Sequence, residues 1–167
     1  AYLNKIMVLA ESLLEHNNCK LEVFVFDKKR DVEFDSQLCN LHWVEDLELP
    51  NFECLSFKYT VIELTTAFKA WLALHLLERY SKVIFLDPDV MVFNSLDSIF
   101  HSLEEYPVIL TPHYCSPKIN GLIDDEQLMR FGVYNLGFFA VCSSQDSKDF
   151  LNWWSDRCLL NAFEDPQ

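Results

Sequence analysis

Two aspartates separated by one proline interrupt the apolar stretch VIFLDPDVMVF, which spans residues 83–93. Carboxylates are costly in an apolar run unless they are paired, hydrogen-bonded or bound to a cation. Pro88 has no N–H and cannot sit inside a central ladder, so we expect a buried strand to end at Asp87 with an extended backbone. Two residues apart in an extended chain, Asp87 and Asp89 can point to one side, where their charges repel unless a cation joins them.

The chemistry that suits this pair is the binding of a hard divalent cation, Mg²⁺ or Mn²⁺, which prefers carboxylate oxygens. Such sites take one or two carboxylates and complete the shell with substrate phosphates and water. The alternative is a turn at a strand end with two solvated acids. In the metal interpretation, neutralising either aspartate weakens metal binding and leaves the metal-free protein equally or slightly more stable, because the repulsion is relieved.

A lysine follows two hydroxyl residues in the segment ELTTAFKAWLALHLLERY, residues 63–80. Apolar residues at helical spacing predict a helix over residues 65–79, with Thr65, Thr66 and Lys69 on one side of its first turns. A helix N-terminus with hydroxyls and a lysine favours an anion such as a phosphate. The alternative is a surface lysine whose stem lies on apolar surface while its charge stays in water.

The hydrophobic pattern predicts alternating helices and strands along the chain. Ser95 is expected to cap the third helix, and the strand at 82–86 is expected to be central and buried on both faces. This order predicts one α/β domain over residues 1–167, with a mostly parallel sheet and flanking helices. The helices are expected at residues 3–16, 65–79, 95–105, 124–130 and 145–160, and the strands at 21–27, 82–86, 90–93, 108–111 and 133–142.

Composition excludes several classes of function. The 167 residues carry a formal net charge of −13, which argues against a nucleic-acid-binding surface. Glycine is scarce, and no G-x-G-x-x-G or P-loop occurs, so the usual phosphate cradles are absent. The six cysteines lack C-x-x-C spacing, which favours a reducing cytoplasm over a zinc cluster or a disulfide framework. No apolar run approaches the roughly 18 residues of a transmembrane helix.

Three segments together resemble a known family: the helix with Lys69, KVIFLDPDVMVFNSLDSIF at 82–100, and VYNLGFFAV at 133–141. They are similar to glycosyltransferases with the Rossmann-like GT-A fold, above all to the glycogenin-like family 8 group and its bacterial relatives. The resemblance covers most of the chain. It implies a nucleotide-sugar donor, in the first place a UDP-sugar, and Mn²⁺ or Mg²⁺ held by Asp87 and Asp89 against the donor diphosphate.

The same resemblance implies roles for further residues. Lys69 would lie near the donor phosphate or sugar, the Asn135 amide would bond sugar hydroxyls, and Gly137 would allow close approach of the backbone. Thr65 and His113 complete the candidates for donor binding, although a hydrogen-bonded loop histidine also explains His113. The family's first strand and its acceptor part, with a third metal ligand that is usually a histidine, are not recognised here, so the chain is expected to be a fragment.

Two other functions stay open at this point. A phosphohydrolase of the haloacid-dehalogenase kind uses the first aspartate of D-x-D as a nucleophile, but it expects Gly-Thr where this chain has Val90 and Met91. A non-catalytic module could keep the fold and bind a partner. Nucleotide-sugar turnover with and without metal separates the three functions.

Overall fold

The computed structural model of the protein describes residues 2–31, 35–116 and 125–163. The predicted helix start at Asp124 lies outside these ranges. Within them the elements are, in chain order, α1 (Leu3–His16), β1 (Leu21–Val25), β2 (Cys39–Trp43), a 3₁₀ helix (Val44–Asp46), α2 (Phe52–Lys58), α3 (Val61–Ala67), α4 (Lys69–Leu76), β3 (Lys82–Leu86), α5 (Asp97–Glu105), β4 (Val108–Pro112), α6 (Asp125–Phe131), β5 (Tyr134–Cys142) and α7 (Gln145–Asn161).

The first and last helices follow their apolar spacing closely. Helix α1 has the predicted bounds and buries Leu9, Ala10 and Leu13 along one face. Helix α7 starts where predicted, after Ser144, whose side chain accepts the backbone N–H of Ser147. A hydroxyl in this position satisfies one of the unpaired N–H groups of the first turn, which explains the sharp start.

The strands form two small sheets, so the prediction of a mostly parallel sheet is wrong. Strands β1 and β2 pair in parallel. Strand β5 lies between β3 and β4 and runs antiparallel to both. The α/β class is confirmed, but alternation along a strand reports only which residues are buried and carries no record of the direction of the neighbouring strand.

Strand β3 has the predicted bounds but not the predicted position. Among the described strands it pairs with β5 alone, which makes it an edge of its sheet. Val83 is its one buried residue and the others are half-buried, so burial on both faces is also wrong. The central place belongs to β5, in which three consecutive residues have no exposed surface: Phe139, Ala140 and Val141.

The helix predicted over residues 65–79 is two helices that meet at the fully buried Phe68. Helix α3 starts earlier than predicted because Thr60 and Glu63 form a capping box, each side chain accepting the backbone N–H of the other. Thr65 therefore lies towards the end of α3. The predicted first turn that carries Thr65 and Lys69 together is wrong, since Lys69 is the first residue of α4.

Residues 90–93 form an irregular segment, so the predicted second short strand is wrong. Val92 is buried, and its N–H donates to Ser12 Oγ of α1 at 3.1 Å. A side chain thus satisfies the backbone group that a neighbouring strand would otherwise pair. Helix α5 begins at Asp97, and Ser95 accepts the Asp97 N–H from outside the helix, so Ser95 is not the N-cap residue.

One apolar cluster fixes the start of α4 relative to β3. Helix α4 packs on β5 and α7 through small residues that allow close approach, and Val83 of β3 belongs to the same cluster. Because α4 is anchored there, its first residue, Lys69, is held next to the end of β3. The buried members of the cluster are Ala70, Ala73, Leu77, Val83, Phe139, Val141, Leu151 and Trp154.

Two further properties of the described residues concern membrane spans and cysteines. None of their helices combines the length and the apolarity that crossing a bilayer requires. The six cysteines all lie in these ranges and carry free thiols.

Candidate functional site

The backbone turns sharply directly after β3. The Val90 N–H donates to the Asp87 carbonyl at 3.1 Å, which places Pro88 and Asp89 at the centre of a tight turn. The Asp87 N–H still donates to the Gly137 carbonyl at 2.9 Å, so Asp87 is tied to β5. The predicted end of the strand is confirmed, but the extended course through Asp89 is wrong. Asp89 is exposed at the tip of this turn.

The Asp87 carboxylate faces the lysine of the preceding helix. Lys69 Nζ donates to Asp87 Oδ1 at 2.9 Å and to the Leu136 carbonyl at 3.1 Å. It also lies 4.6 Å from the centre of the Phe85 ring, within the range of a cation–π contact. The Lys69 side chain is 11% exposed, so its charge is not held in water as the surface-lysine alternative requires.

Strand β5 changes its register opposite this pair. Leu110 of β4 pairs with Phe139, but the next residue, Thr111, pairs with Asn135, so β5 carries extra residues at this point. Asn135 Oδ1 accepts the Gly137 N–H at 2.7 Å. This side-chain-to-backbone bond closes a tight turn within the strand, a role for which asparagine is well suited.

Gly137 is a position where a side chain would not fit. A Cβ there would lie 2.9 Å from Asn135 Oδ1 and 3.4 Å from Asp87 Oδ2. Two oxygen atoms therefore border the space that the missing side chain leaves. Since Lys69 takes Asp87 Oδ1, the oxygen that remains for a further partner is Oδ2.

These residues fit a divalent cation in the chemistry of their donor atoms. Asp87 Oδ2 and the exposed Asp89 carboxylate are hard oxygen ligands of the kind that Mg²⁺ and Mn²⁺ prefer. In the ranges that the structure describes, no group of three or more His, Cys, Asp or Glu residues is placed to hold a metal. A site with one or two carboxylates therefore has to be completed by water and substrate phosphates, as magnesium sites commonly are.

Two predicted donor-binding residues lie outside this cluster. Thr65 Oγ1 donates to the Ile62 carbonyl at 3.0 Å, within its own helix. His113 is exposed, and its backbone N–H donates to the Val133 carbonyl at 2.9 Å. Neither side chain has a described contact with Asp87. Their roles in donor binding stay predictions.

The sequence analysis missed two groups of the site, the Phe85 ring and the Leu136 carbonyl. Phe85 precedes Asp87 by two residues on an extended strand, so strand alternation could have placed both on one face. No sequence signal marks the Leu136 carbonyl, because its availability depends on the register shift of β5.

A second cluster, centred on the Glu22 carboxylate and also missed, joins strands β1 and β2 to the segment just before β3. Glu22 Oε1 accepts from Asn40 Nδ2 and from Tyr80 Oη, both at 2.8 Å, while Oε2 is bonded to His42 Nε2. Glu22 and Asn40 are paired in the β1–β2 register, and His42 follows two residues later, which is the signal that could have revealed the cluster.

The hydrogen bonds of this second cluster change how its acids titrate. Burial raises the pKa of the Glu22 carboxyl, but the hydrogen bonds from Asn40, His42 and Tyr80 outweigh it, so the net pKa is lowered. The hydrogen bond to Glu22 in turn raises the pKa of the Tyr80 hydroxyl. Both shifts favour the state in which a charged Glu22 accepts a hydrogen bond from a neutral Tyr80.

Comparison with known proteins identifies the family of the chain. A family model described as Glycosyl transferase family 8 matches residues 1–141, most of the chain. The chain belongs to this family and is a glycosyltransferase. In family 8 the GT-A fold and dependence on a divalent metal are general. No curated protein and no solved structure matches closely enough to count as similar. The resemblance is thereby confirmed, and the phosphohydrolase and the non-catalytic module lose their support.

Proposed function

We propose that this glycosyltransferase takes its sugar from a nucleotide-sugar donor, in the first place a UDP-sugar, and that Asp87 and Asp89 hold Mn²⁺ or Mg²⁺ against the donor diphosphate. One observation carries the proposal: Asp87 lies at the end of β3 with Oδ2 beside Gly137. A Cβ added to Gly137 would lie 3.4 Å from this oxygen, so the absence of a side chain leaves space next to it. A carboxylate oxygen next to a bare backbone position suits a cation and the phosphate that accompanies it.

The charge of the protein makes such a cation necessary. The net charge of −13 repels a diphosphate, so binding requires positive charge at the site itself. When bound, the divalent ion offsets the negative charge that develops on the leaving nucleoside diphosphate. Asp87 and Asp89 would hold it there through their oxygens.

Asn135 and Gly137 would face the sugar. Asn135 Oδ1 is engaged by the Gly137 N–H, which leaves the two amide hydrogens on Nδ2 to donate to a sugar hydroxyl oxygen. Gly137 would let the sugar approach the backbone closely because no side chain stands between them. The acceptor is not assigned.

Thermal unfolding with and without Mn²⁺ plus UDP tests this proposal. A ligand at 100 times its Kd stabilises the native state by about 2.7 kcal/mol, so the wild-type melting temperature should rise clearly. Asp87→Asn and Asp89→Asn should each reduce this rise, because each removes a charged ligand atom. Asp146→Asn, an exposed aspartate in the first turn of α7, is the matched control and should keep the full rise.

The same melts without ligand separate the two aspartates. Asp87→Asn leaves the Lys69 ammonium, 11% exposed, without its carboxylate, so we expect a loss of about 1 kcal/mol in unfolding free energy. Asp89→Asn should change it by less than about 0.5 kcal/mol. The sequence analysis expected equal or slightly higher stability for Asp87→Asn. The structure changes that expectation to a loss, because the Asp87 carboxylate faces the Lys69 cation instead of a second acid. Equal ligand-induced rises in wild type and both variants would contradict the proposed metal site.

The cytoplasmic location and the assignment of residues 1–167 to one partial domain stay predictions. The free thiols of all six cysteines support a reducing compartment.

A further inference from the structure

Every described contact of the Lys69 ammonium is with the protein itself. An ammonium has three N–H donors and no acceptor. Nζ gives one to Asp87 Oδ1 and one to the Leu136 carbonyl, and its remaining positive face lies over the Phe85 ring at 4.6 Å. Both described hydrogen bonds of Nζ are thus made within the protein, one of them to the carboxylate that is proposed to hold the metal.

The three partners of Lys69 come from segments that are distant in sequence. Asp87 ends β3, Phe85 lies within it, and Leu136 belongs to the part of β5 where the register changes. The ammonium therefore joins the first residue of α4 to the end of β3 and to β5. Without the ammonium, no bond from Lys69 would hold Asp87 Oδ1. The Asp87 carboxylate could then rotate, because the terminal torsion of an aspartate is intrinsically broad.

We propose that Lys69 is a positioning residue, which holds Asp87 Oδ1 so that Oδ2 is the single oxygen turned to the divalent cation beside Gly137. This inference rests on the proposed function, since it assumes that Asp87 binds the metal. It differs from the role that the resemblance implies, in which Lys69 meets the donor. Residues that orient a metal ligand commonly change metal affinity by about 10- to 100-fold when they are removed.

The two roles differ in what they do to metal binding without nucleotide. Lys69→Met keeps a chain of similar length on Phe85 and removes the ammonium. If Lys69 positions Asp87, the affinity for Mn²⁺ alone, measured from the electron paramagnetic resonance signal of free Mn²⁺, should fall about tenfold. The affinity for UDP at saturating Mn²⁺, measured by calorimetry, should stay within about twofold.

Lys82→Met is the matched control. Lys82 also donates to a backbone carbonyl, that of Phe100 at 2.7 Å, and to a carboxylate, Glu104 Oε1 at 3.2 Å. It lies at the opposite end of β3 from Asp87, so its removal should leave Mn²⁺ affinity unchanged.

Lys69→Gln, which keeps a hydrogen-bond donor, supplies a second variant if Lys69→Met does not fold. It should lower the affinity for Mn²⁺ alone by less than Lys69→Met does.

Two failures can be told apart with Asp87→Asn as the reference. If Asp87→Asn lowers Mn²⁺ affinity but both Lys69 variants bind Mn²⁺ with wild-type affinity, Lys69 does not position Asp87 and the inference alone is overturned. Weaker UDP binding by both Lys69 variants at saturating Mn²⁺ would show that Lys69 contacts the donor, which also overturns the inference alone. If wild type and Asp87→Asn bind Mn²⁺ equally, the proposed metal site fails and the inference falls with it.

Discussion

Asp87 and Glu22 are both partly enclosed carboxylates surrounded by polar partners, yet their oxygens are used in different ways. Glu22, with a side chain 15% exposed, gives both oxygens to described partners: Asn40 and His42 on β2, and Tyr80 just before β3. Asp87, 33% exposed, gives Oδ1 to Lys69 and turns Oδ2 towards the bare backbone of Gly137. Both Glu22 oxygens are therefore engaged, whereas Asp87 has one oxygen without a described hydrogen bond.

This difference is the one expected between a structural carboxylate and the metal ligand proposed for Asp87. A partly buried acid whose two oxygens both accept hydrogen bonds from the protein stabilises the fold and leaves neither oxygen free for a ligand. An acid that keeps one oxygen beside a position without a side chain can take a cation. We therefore expect substitutions near Asp87 to change activity and substitutions of Glu22 to change stability.

Of the substitutions that test this comparison, Gly137→Ala should have the largest effect, a loss of nucleotide-sugar turnover. The new Cβ would lie 2.9 Å from Asn135 Oδ1, which would have to move, and would place a methyl group against Asp87 Oδ2. A misplacement of about 1 Å in an active site can lower turnover about 100-fold. The measurement is nucleotide-sugar turnover at saturating Mn²⁺, with thermal unfolding to verify that the variant is folded. Turnover equal to that of wild type would mean that the space beside Gly137 is not used.

Glu22→Gln should lower the unfolding free energy by about 1–2 kcal/mol, because hydrogen bonds to a charged group are replaced by neutral ones. Nucleotide-sugar turnover of the folded variant should stay within about twofold of wild type. Denaturant unfolding gives the first quantity and initial rates give the second. Glu104→Gln, whose carboxylate is 66% exposed, is the control and should lose less than about 1 kcal/mol. A large loss of turnover without a loss of stability would place Glu22 in the active site and break the comparison.

The smallest expected effect is the pH dependence of the Glu22 contribution. Because the folded-state pKa of Glu22 lies below its ordinary value of 4.5, the charged carboxylate stabilises the fold above that value. The contribution is lost as the pH falls through the lowered pKa. The difference in unfolding free energy between wild type and Glu22→Gln should therefore be full near neutrality and shrink below pH 4.5. A difference that grows on acidification would show that Glu22 is not stabilised as an anion.

The local parts of the site were readable in the sequence. The Asp-Pro-Asp stretch predicted a strand that ends at residue 86, and β3 ends there because proline cannot continue a ladder. The spacing of apolar residues gave the bounds of α1. Asn135, Gly137, Lys69 and Asp87 were all identified in advance, and the structure brings these four together.

Their mutual contacts were not readable, because they depend on residues far apart in the chain. Lys69 and Leu136 are 67 positions apart, and the carbonyl of Leu136 accepts the ammonium only where β5 changes register. Periodicity records which side of an element is buried and says nothing about the direction of the neighbouring strand. The antiparallel course of β5 and the capture of one Asp87 oxygen by Lys69 were therefore decided by tertiary packing. The sequence by itself determined which residues are candidates for the chemistry and the strand end that carries Asp87, since both follow from local backbone and side-chain properties.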